Sequence, residues 1–433
     1  MHADARQPVH DPGRGVAGLQ PEALPPTVSV VGFAEVGGSE LVENPYPLYA
    51  QLRQEEPVWR LPDADAFLVT TWQLVTEAAA RVEDFSNRFR HTIFREPDDR
   101  IGVVPFDAGT DVFAGADPPA HTEHRRLFFP ELVRRRIADL ESDVAAVVDQ
   151  HLGPLLAAGG GDAAEALTDP VPLRIVVERV MGMDLHDVAL TQRWVFAGAR
   201  LMGGRLGLEE MGAAAEGAAG ILPWVTEQLD AAIAVDGTGG VLGAAATGVR
   251  DGVLSRDEAA FALMVLVGAG AETTTSLMGS ALRVLAEQSA LQAELRRSPA
   301  RIPAFIEEVL RLESPFRFHP RSAARDTELG GVSIPAGALV ALCWAAANRD
   351  DAVFDRPDEL ILDRANLGMH LAFGRGIHHC VGAPLARLEA RVVLTKLLQR
   401  SSALALDADD PPRRVDSLWV NRHERLPIVI HAA

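Results

Sequence analysis

A mainly α fold with small β-sheets is what this sequence predicts, and three observations carry that reading. Apolar residues recur at helical spacing through most of the segment from His121 to about Leu295. Strand-like alternation is confined to short pieces, such as Phe67 to Thr71, Val332 to Ile334 and Leu339 to Cys343. No Pro/Gly/Ser tract splits the chain, so residues 33–433 read as one domain, although the length would allow two or three.

Taken in order, residues 1–32 carry Pro8, Pro12, Pro21, Pro25 and Pro26 among scattered charges and read as a flexible tail. Pro47 to Glu55 reads as a short helix, Phe67 to Thr71 as a strand and Trp72 to Ala80 as a helix again. Arg88 to Gly115 keeps no period and is rich in Gly, Pro and Asp; a long loop inside a compact chain is usually functional. Residues 203–220 and 235–252 are rich in Gly and Ala and read as connections, the first alternatively as a weakly packed helix. A last helix is expected from about Leu385 to Gln399.

Composition narrows the function. The formal charge is −19, from 41 basic and 60 acidic residues, which argues against nucleic acid or an anionic membrane as a global partner. The longest uncharged apolar stretch, Ala259 to Ala271, is closed by Glu272 and falls short of the roughly 20 residues that span a bilayer. No signal-peptide pattern opens the chain. Two cysteines, Cys343 and Cys380, are too few for a disulfide scaffold and read as reduced thiols in a cytoplasmic protein.

The strongest motif is Phe373-Gly374-Arg375-Gly376-Ile377-His378-His379-Cys380-Val381-Gly382. Two glycines before a cysteine permit a tight turn with exposed amides. The helix that follows points its positive end at the sulfur. Amides and dipole are expected to lower the thiol pKa and favour a thiolate, which is a strong axial donor to haem iron. For a lone cysteine the alternative is an inert core thiol.

This decapeptide resembles the haem-binding loop of the cytochrome P-450 family, specifically its soluble bacterial type. Gly382-Ala383-Pro384-Leu385-Ala386-Arg387 continues the likeness, which extends with gaps from about Asn44 to Ile430. The resemblance implies the cytochrome P-450 fold, with haem buried between a long oxygen-side helix and the cysteine-loop helix. It implies Cys380 as the metal ligand, with Phe373, Gly374, His378 and Gly382 around the haem.

The long helix carries the second motif. Ser255 and Glu258 form a capping box. Further on comes Gly268-Ala269-Gly270-Ala271-Glu272-Thr273-Thr274-Thr275, whose glycines and threonines are poor choices for a buried helix. Local rules broken in a row point to a functional site. Glu272 and Thr273 set an acid beside a hydroxyl in an apolar segment. By resemblance Thr273 steadies oxygen and Glu272 relays protons.

Glu308-Val309-Leu310-Arg311 places opposite charges three apart on one helix face. It resembles the family's structural E-x-x-R helix, with Asn348-Arg349-Asp350 as a companion, and is expected to form a buried network behind the cysteine loop. Asp117-Pro118-Pro119-Ala120-His121-Thr122-Glu123-His124-Arg125-Arg126 resembles the entry to the family's haem-edge helix. There His121 and Arg125 share a face, and Arg321 and His378 are implied as further propionate contacts. Pro130 is expected to end that helix early.

The substrate pocket is expected at the 88–113 loop, roughly 193–208, the helix face of Met264, Val267, Gly268 and Ala271, the stretch Phe316 to His319, and a turn near Trp419. Strand alternation would send either Phe316 and Phe318 or Arg317 and His319 inward. The first pair makes the pocket greasy; the second suits an anion. Cys343 reads as core.

The resemblance implies a monooxygenase using haem b (iron protoporphyrin IX) and O2, inserting one oxygen atom into a small organic molecule. The chain has no room for a reductase domain, so NAD(P)H is expected to act indirectly, through a separate ferredoxin and ferredoxin reductase, with no nucleic-acid or membrane partner. Arg125, Arg126, Arg134, Arg135, Arg136, Arg375, Arg387 and Arg391 would form a basic patch for an acidic donor. Two readings compete. One is a peroxide-driven or otherwise atypical haem-thiolate enzyme. The other is a haem-free cysteine hydrolase using Cys380 with His378 or His379, which lie too close in sequence for the usual spatially assembled pair.

Overall fold

A computed structural model describes residues 39–106, 110–235 and 237–433, with the backbone alone at residues 39 and 134–136. The expected tail, residues 1–32, lies outside them. Helices dominate, and the longest, Arg256–Glu287, runs through the centre. Its start follows from the capping box: Ser255 Oγ accepts from Glu258 N at 3.2 Å, and Glu258 Oε2 accepts from Ser255 N at 2.7 Å. By length and composition this helix could cross a bilayer. Here it is a core element, packed by the helices Pro170–Arg174, Val188–Leu201, Ile221–Ile233 and Ala383–Arg400. Its Leu263, Val267, Leu277 and Leu282 share one apolar core with Val148, Leu152, Leu388 and Val393.

A five-stranded sheet flanks this core, in the order Val58–Arg60, Ala66–Val69, Leu339–Leu342, His319–Ala323, Phe85–Ser86. Leu339–Leu342 pairs parallel to Ala66–Val69 and antiparallel to His319–Ala323. The sheet thus fixes Arg321 and His319 beside the chain that precedes the long loop. The last helix is Ala383–Arg400; the short helix expected at Pro47 to Glu55 runs Tyr46–Glu55 and is preceded by another, Ser39–Glu43.

Three segments differ from expectation. The 88–115 stretch contains a hairpin, His91–Arg95 against Ile101–Pro105, with Ile93 opposite Val103. Most of its side chains are only partly buried, so charged residues mask the period-2 signal. The two Gly/Ala-rich segments contain helices: Leu208–Ala218 is the alternative read for the first, and Gly240–Arg250 stands where a connection was expected. Small residues there permit close packing that local propensity does not reveal: a Cβ on Gly248 would stand 2.5 Å from Leu127 Cδ2, and one on Gly217 would be 3.3 Å from Ala197 Cβ. Pro130 sits inside the helix Ala120–Leu132, which ends two residues later, and a new helix begins at Arg134.

Candidate active site

The cysteine loop is a tight turn. Gly374 and Gly376 hold φ of +66° and +79°, and a Cβ on Gly376 would meet Ala79 O at 3.1 Å. Cys380 N donates to Phe373 O at 2.9 Å. The helix Ala383–Arg400 starts just beyond, and the amides of Gly382 and Ala383 donate to the sulfur. These amides, with Arg125 and Arg387, favour the thiolate, yet burial outweighs them and raises the thiol above its ordinary 9.0. The amides and cations expected to favour the thiolate are in place, and the sulfur itself is exposed to the cavity in front of it.

Cys380 opens onto a cavity between the cysteine loop and the central helix. Phe373, Gly374, His378 and Gly382 border it on the same side. His121, Arg125 and Arg321 line it too. The rings of His121 and His378 lie 4.1 Å apart, and His121 Nδ1 and His378 Nε2 are buried without a hydrogen-bond partner. Burial and the neighbouring cations hold His378 down at about 3, so it is neutral. Arg125 donates to His379 O at 2.9 Å, and Arg321 to its neighbour Pro320 O at 2.9 Å. Neither forms an ion pair among the described residues. Burial lowers Arg321 to about 10. Three cations without counter-ions among the described residues, Arg125, Arg321 and Arg375, and two orphaned imidazole nitrogens, facing one cavity with a thiol, fit a haem and its two carboxylates.

Across the cavity runs the central helix. Thr273 Oγ1 donates to Ala269 O at 2.7 Å, one turn back, and the residue borders the cavity. Its proton is engaged, so its lone pairs remain free to accept. Glu272 is 3% exposed and faces away from the cavity, where its Oε1 accepts from Arg422 Nε at 2.9 Å. Burial raises its pKa, opposed by Arg422.

The pocket face is turned relative to expectation. Met264, Val267, Gly268 and Ala271 do not border the cavity; Val265, Leu266, Ala269, Gly270 and Thr274 do. Val267 and Ala271 are buried against the opposite packing partners. Nor does any residue of 193–208 reach it, whereas Phe89 and Phe113 of the 88–113 stretch do. The expected alternation at Phe316 to His319 fails: Phe316 and His319 both line the cavity, while Arg317 and Phe318 do not. The physical reason is that the strand begins only at His319, leaving Phe316 in a single bridge to Val420. Arg317 is buried and engages the carbonyls of Leu41, Val42 and Ser417, so it offers no anion site. Trp419 stands behind Phe316, stacked on it at 4.1 Å between ring centres.

Glu308 and Arg311 are fully buried and paired at 2.6 and 3.0 Å. Arg364 joins Glu308 at 3.0 Å. Arg311 also donates to the carbonyls of Asn348, Pro357 and Glu359 at 3.1, 2.5 and 2.9 Å. The Asn348 side chain continues to Leu371 N at 2.5 Å, at the entrance of the cysteine loop. Sequence reasoning missed several partners. Glu307 binds Arg387 at 2.6 and 2.8 Å and His370 at 2.9 Å, which together hold its carboxyl down at about 2. Trp344 Nε1 donates to His319 Nδ1 at 3.1 Å. Only Glu307, adjacent to Glu308, carried a local signal; the others meet over long sequence separations. Cys343 is fully buried, and burial pushes its thiol up to about 11.

Comparison with known proteins fits this geometry. The family model described as "Cytochrome P450" matches residues 300–427. The chain is 36% identical over 396 residues to "Cytochrome P450 144" of Mycobacterium tuberculosis (strain ATCC 25618 / H37Rv), covering 91% of this chain and 90% of that one. It is 32% identical over 399 residues to the "Vitamin D(3) 25-hydroxylase" of Pseudonocardia autotrophica, covering 90% and 94%. Among solved structures, cytochrome P450 CREJ in complex with (4-ethylphenyl) dihydrogen phosphate superposes with a TM-score of 0.82 at 29% identity, covering 90% of this chain and 98% of that one.

Proposed function

This chain belongs to the cytochrome P450 family of haem monooxygenases, and we propose that Cys380 holds the iron while Thr273 and Glu272 supply protons for oxidation of a small, largely apolar substrate. Haem held by a thiolate supplies the activation of O2, placing one oxygen atom in the substrate and reducing the other to water. One observation carries the assignment. A single cavity brings together the Cys380 thiol, the Thr273 hydroxyl and a set of cations and imidazoles without anionic partners.

The chain's own residues account for the rest. His121, Arg125, Arg321 and His378 would bind and orient the haem carboxylates. Phe89, Phe113, Leu266 and Phe316 keep the space apolar and exclude water. Thr273 Oγ1, its proton engaged at Ala269 O, can hold a water in the cavity by accepting its hydrogen bond. Glu272 is buried next to Thr273 and can pass a proton when its pairing with Arg422 relaxes.

Turnover under 18O2, with NAD(P)H and a ferredoxin and ferredoxin reductase, is expected to put one labelled oxygen atom in the product. Thr273→Ala should keep the haem spectrum and lower product per electron consumed severalfold, with hydrogen peroxide rising instead. Unlabelled product, or unchanged yield in the variant, would refute the reading.

For electron supply we place an acidic ferredoxin over the cysteine loop. Arg126 and Arg375 are exposed there, beside the apolar Ile377 and Phe129. The patch is less basic than the arginine count suggests, because Arg387 is paired with Glu307 and Arg391 with Glu141. Arg134, Arg135 and Arg136 have side chains outside the described residues. The reduction rate is expected to fall as salt rises; a salt-independent rate would argue against this docking.

A further inference from the structure

Asp169 precedes the helix Pro170–Arg174 and is 6% exposed. Its Oδ2 accepts from Gln192 Nε2 at 3.0 Å. Its Oδ1 has no hydrogen-bond partner and lies 4.0 Å from Arg422 Nη1. The same guanidinium holds Glu272 Oε1 at 2.9 Å, and Glu272 Oε2 is also buried without a partner. Arg422 is itself 6% exposed and stacks over Phe196 at 3.8 Å. Two buried carboxyl groups therefore share one cation. With both ionised the cluster carries an unbalanced negative charge in the interior; with one proton between them it is neutral.

The surroundings favour the protonated pair. Burial raises Asp169 to about 7, opposed by Arg422 and assisted by Glu272 on the central helix, Asp162 on the facing strand and Glu165 on its own segment. Asp162 is itself paired with Arg425 at 3.2 Å. The helix Val188–Leu201 contributes the neutral Gln192, which is partly exposed.

We propose that Asp169 is the outer acid of the proton supply, exchanging one proton with Glu272 as Arg422 moves from one carboxylate to the other. The step balances. Protonated Asp169 and the Glu272 carboxylate bound to Arg422 become the Asp169 carboxylate bound to Arg422 and protonated Glu272. Asp169 then recovers a proton from solvent on the Gln192 side. The inference rests on Glu272 and Thr273 being the inner part of that supply.

Infrared spectra of the ferric, substrate-free protein labelled with 13C-aspartate read the step without turnover. A protonated aspartate band is expected to titrate near pH 7 and to vanish in Asp169→Asn. In Glu272→Gln the competing charge is gone and Arg422 is free for Asp169, so the same band should titrate lower by about one unit or more. In turnover, Asp169→Asn should lose coupling severalfold at about pH 6, where the parent keeps its reservoir filled.

The proposal is overturned if the band survives in Asp169→Asn, if Glu272→Gln leaves it unmoved, or if Asp169→Asn keeps the parent's coupling at every pH. The Glu272→Gln arm uses native Asp169, so it stands even if Asp169→Asn fails to fold. If Thr273→Ala and Glu272→Gln both keep full coupling, the inner relay is wrong; a failure confined to the Asp169 measurements removes only the outer acid.

Discussion

Cys380→Ser is expected to lose the ferrous-carbonyl absorption of a thiolate-bound haem, and monooxygenase turnover with it. Cys380 is the sulfur that opens onto the cavity. Cys343 lies in a separate apolar cluster with Tyr49, and its thiol stays protonated through the working pH range, so it offers no substitute. A serine oxygen is a harder, more basic donor that holds its proton and cannot push electron density onto the iron as a thiolate does. The reduced, carbon-monoxide difference spectrum reads the outcome directly. A variant that keeps the parent's absorption would refute the assignment of the ligand, and Cys343→Ala should keep it.

Arg311→Ala is expected to yield protein that retains little haem. Removing one partner of a fully buried pair leaves Glu308 with Arg364 and the Ile361 amide, and typically costs about 3–5 kcal/mol. Two backbone carbonyls, at Asn348 and Pro357, lose their donor at the same time, and Glu359 O keeps only Arg364. Asn348, whose side chain accepts from Leu371 N, then loses the hold of Arg311 on its carbonyl and keeps Ser314 as its other side-chain partner, which loosens the loop ending at Cys380. Arg311→Lys should fail as well, because one ammonium cannot replace a planar fork that reaches five acceptors. Haem content per polypeptide measures the effect. Normal content in Arg311→Ala would show that the network does not support the loop.

The pocket is where the sequence was hardest to read. On the central helix the cavity-lining set is displaced by about one residue from the expected one, Val265, Leu266, Ala269 and Gly270 in place of Met264, Val267, Gly268 and Ala271. A helix that is apolar nearly all round gives no moment to say which face meets the cavity. At Phe316 to His319 the alternation breaks down because the chain is irregular until His319. The Gly/Ala-rich segments became helices because neighbouring side chains close over them, which no local pattern announces.

The sequence by itself determined the central helix with its capping box, the acid–hydroxyl pair within it, the glycine turn before Cys380 and the E-x-x-R pairing. Each of these is a short-range matter of spacing, caps and backbone freedom, which neighbouring residues settle among themselves. Only the tertiary structure decided which face of the central helix meets the cavity, that Arg317 is consumed by carbonyls, and that Arg422 stands between Glu272 and Asp169. Charge energies depend on what surrounds a group after water has left, and those neighbours arrive from 100 to 254 residues away.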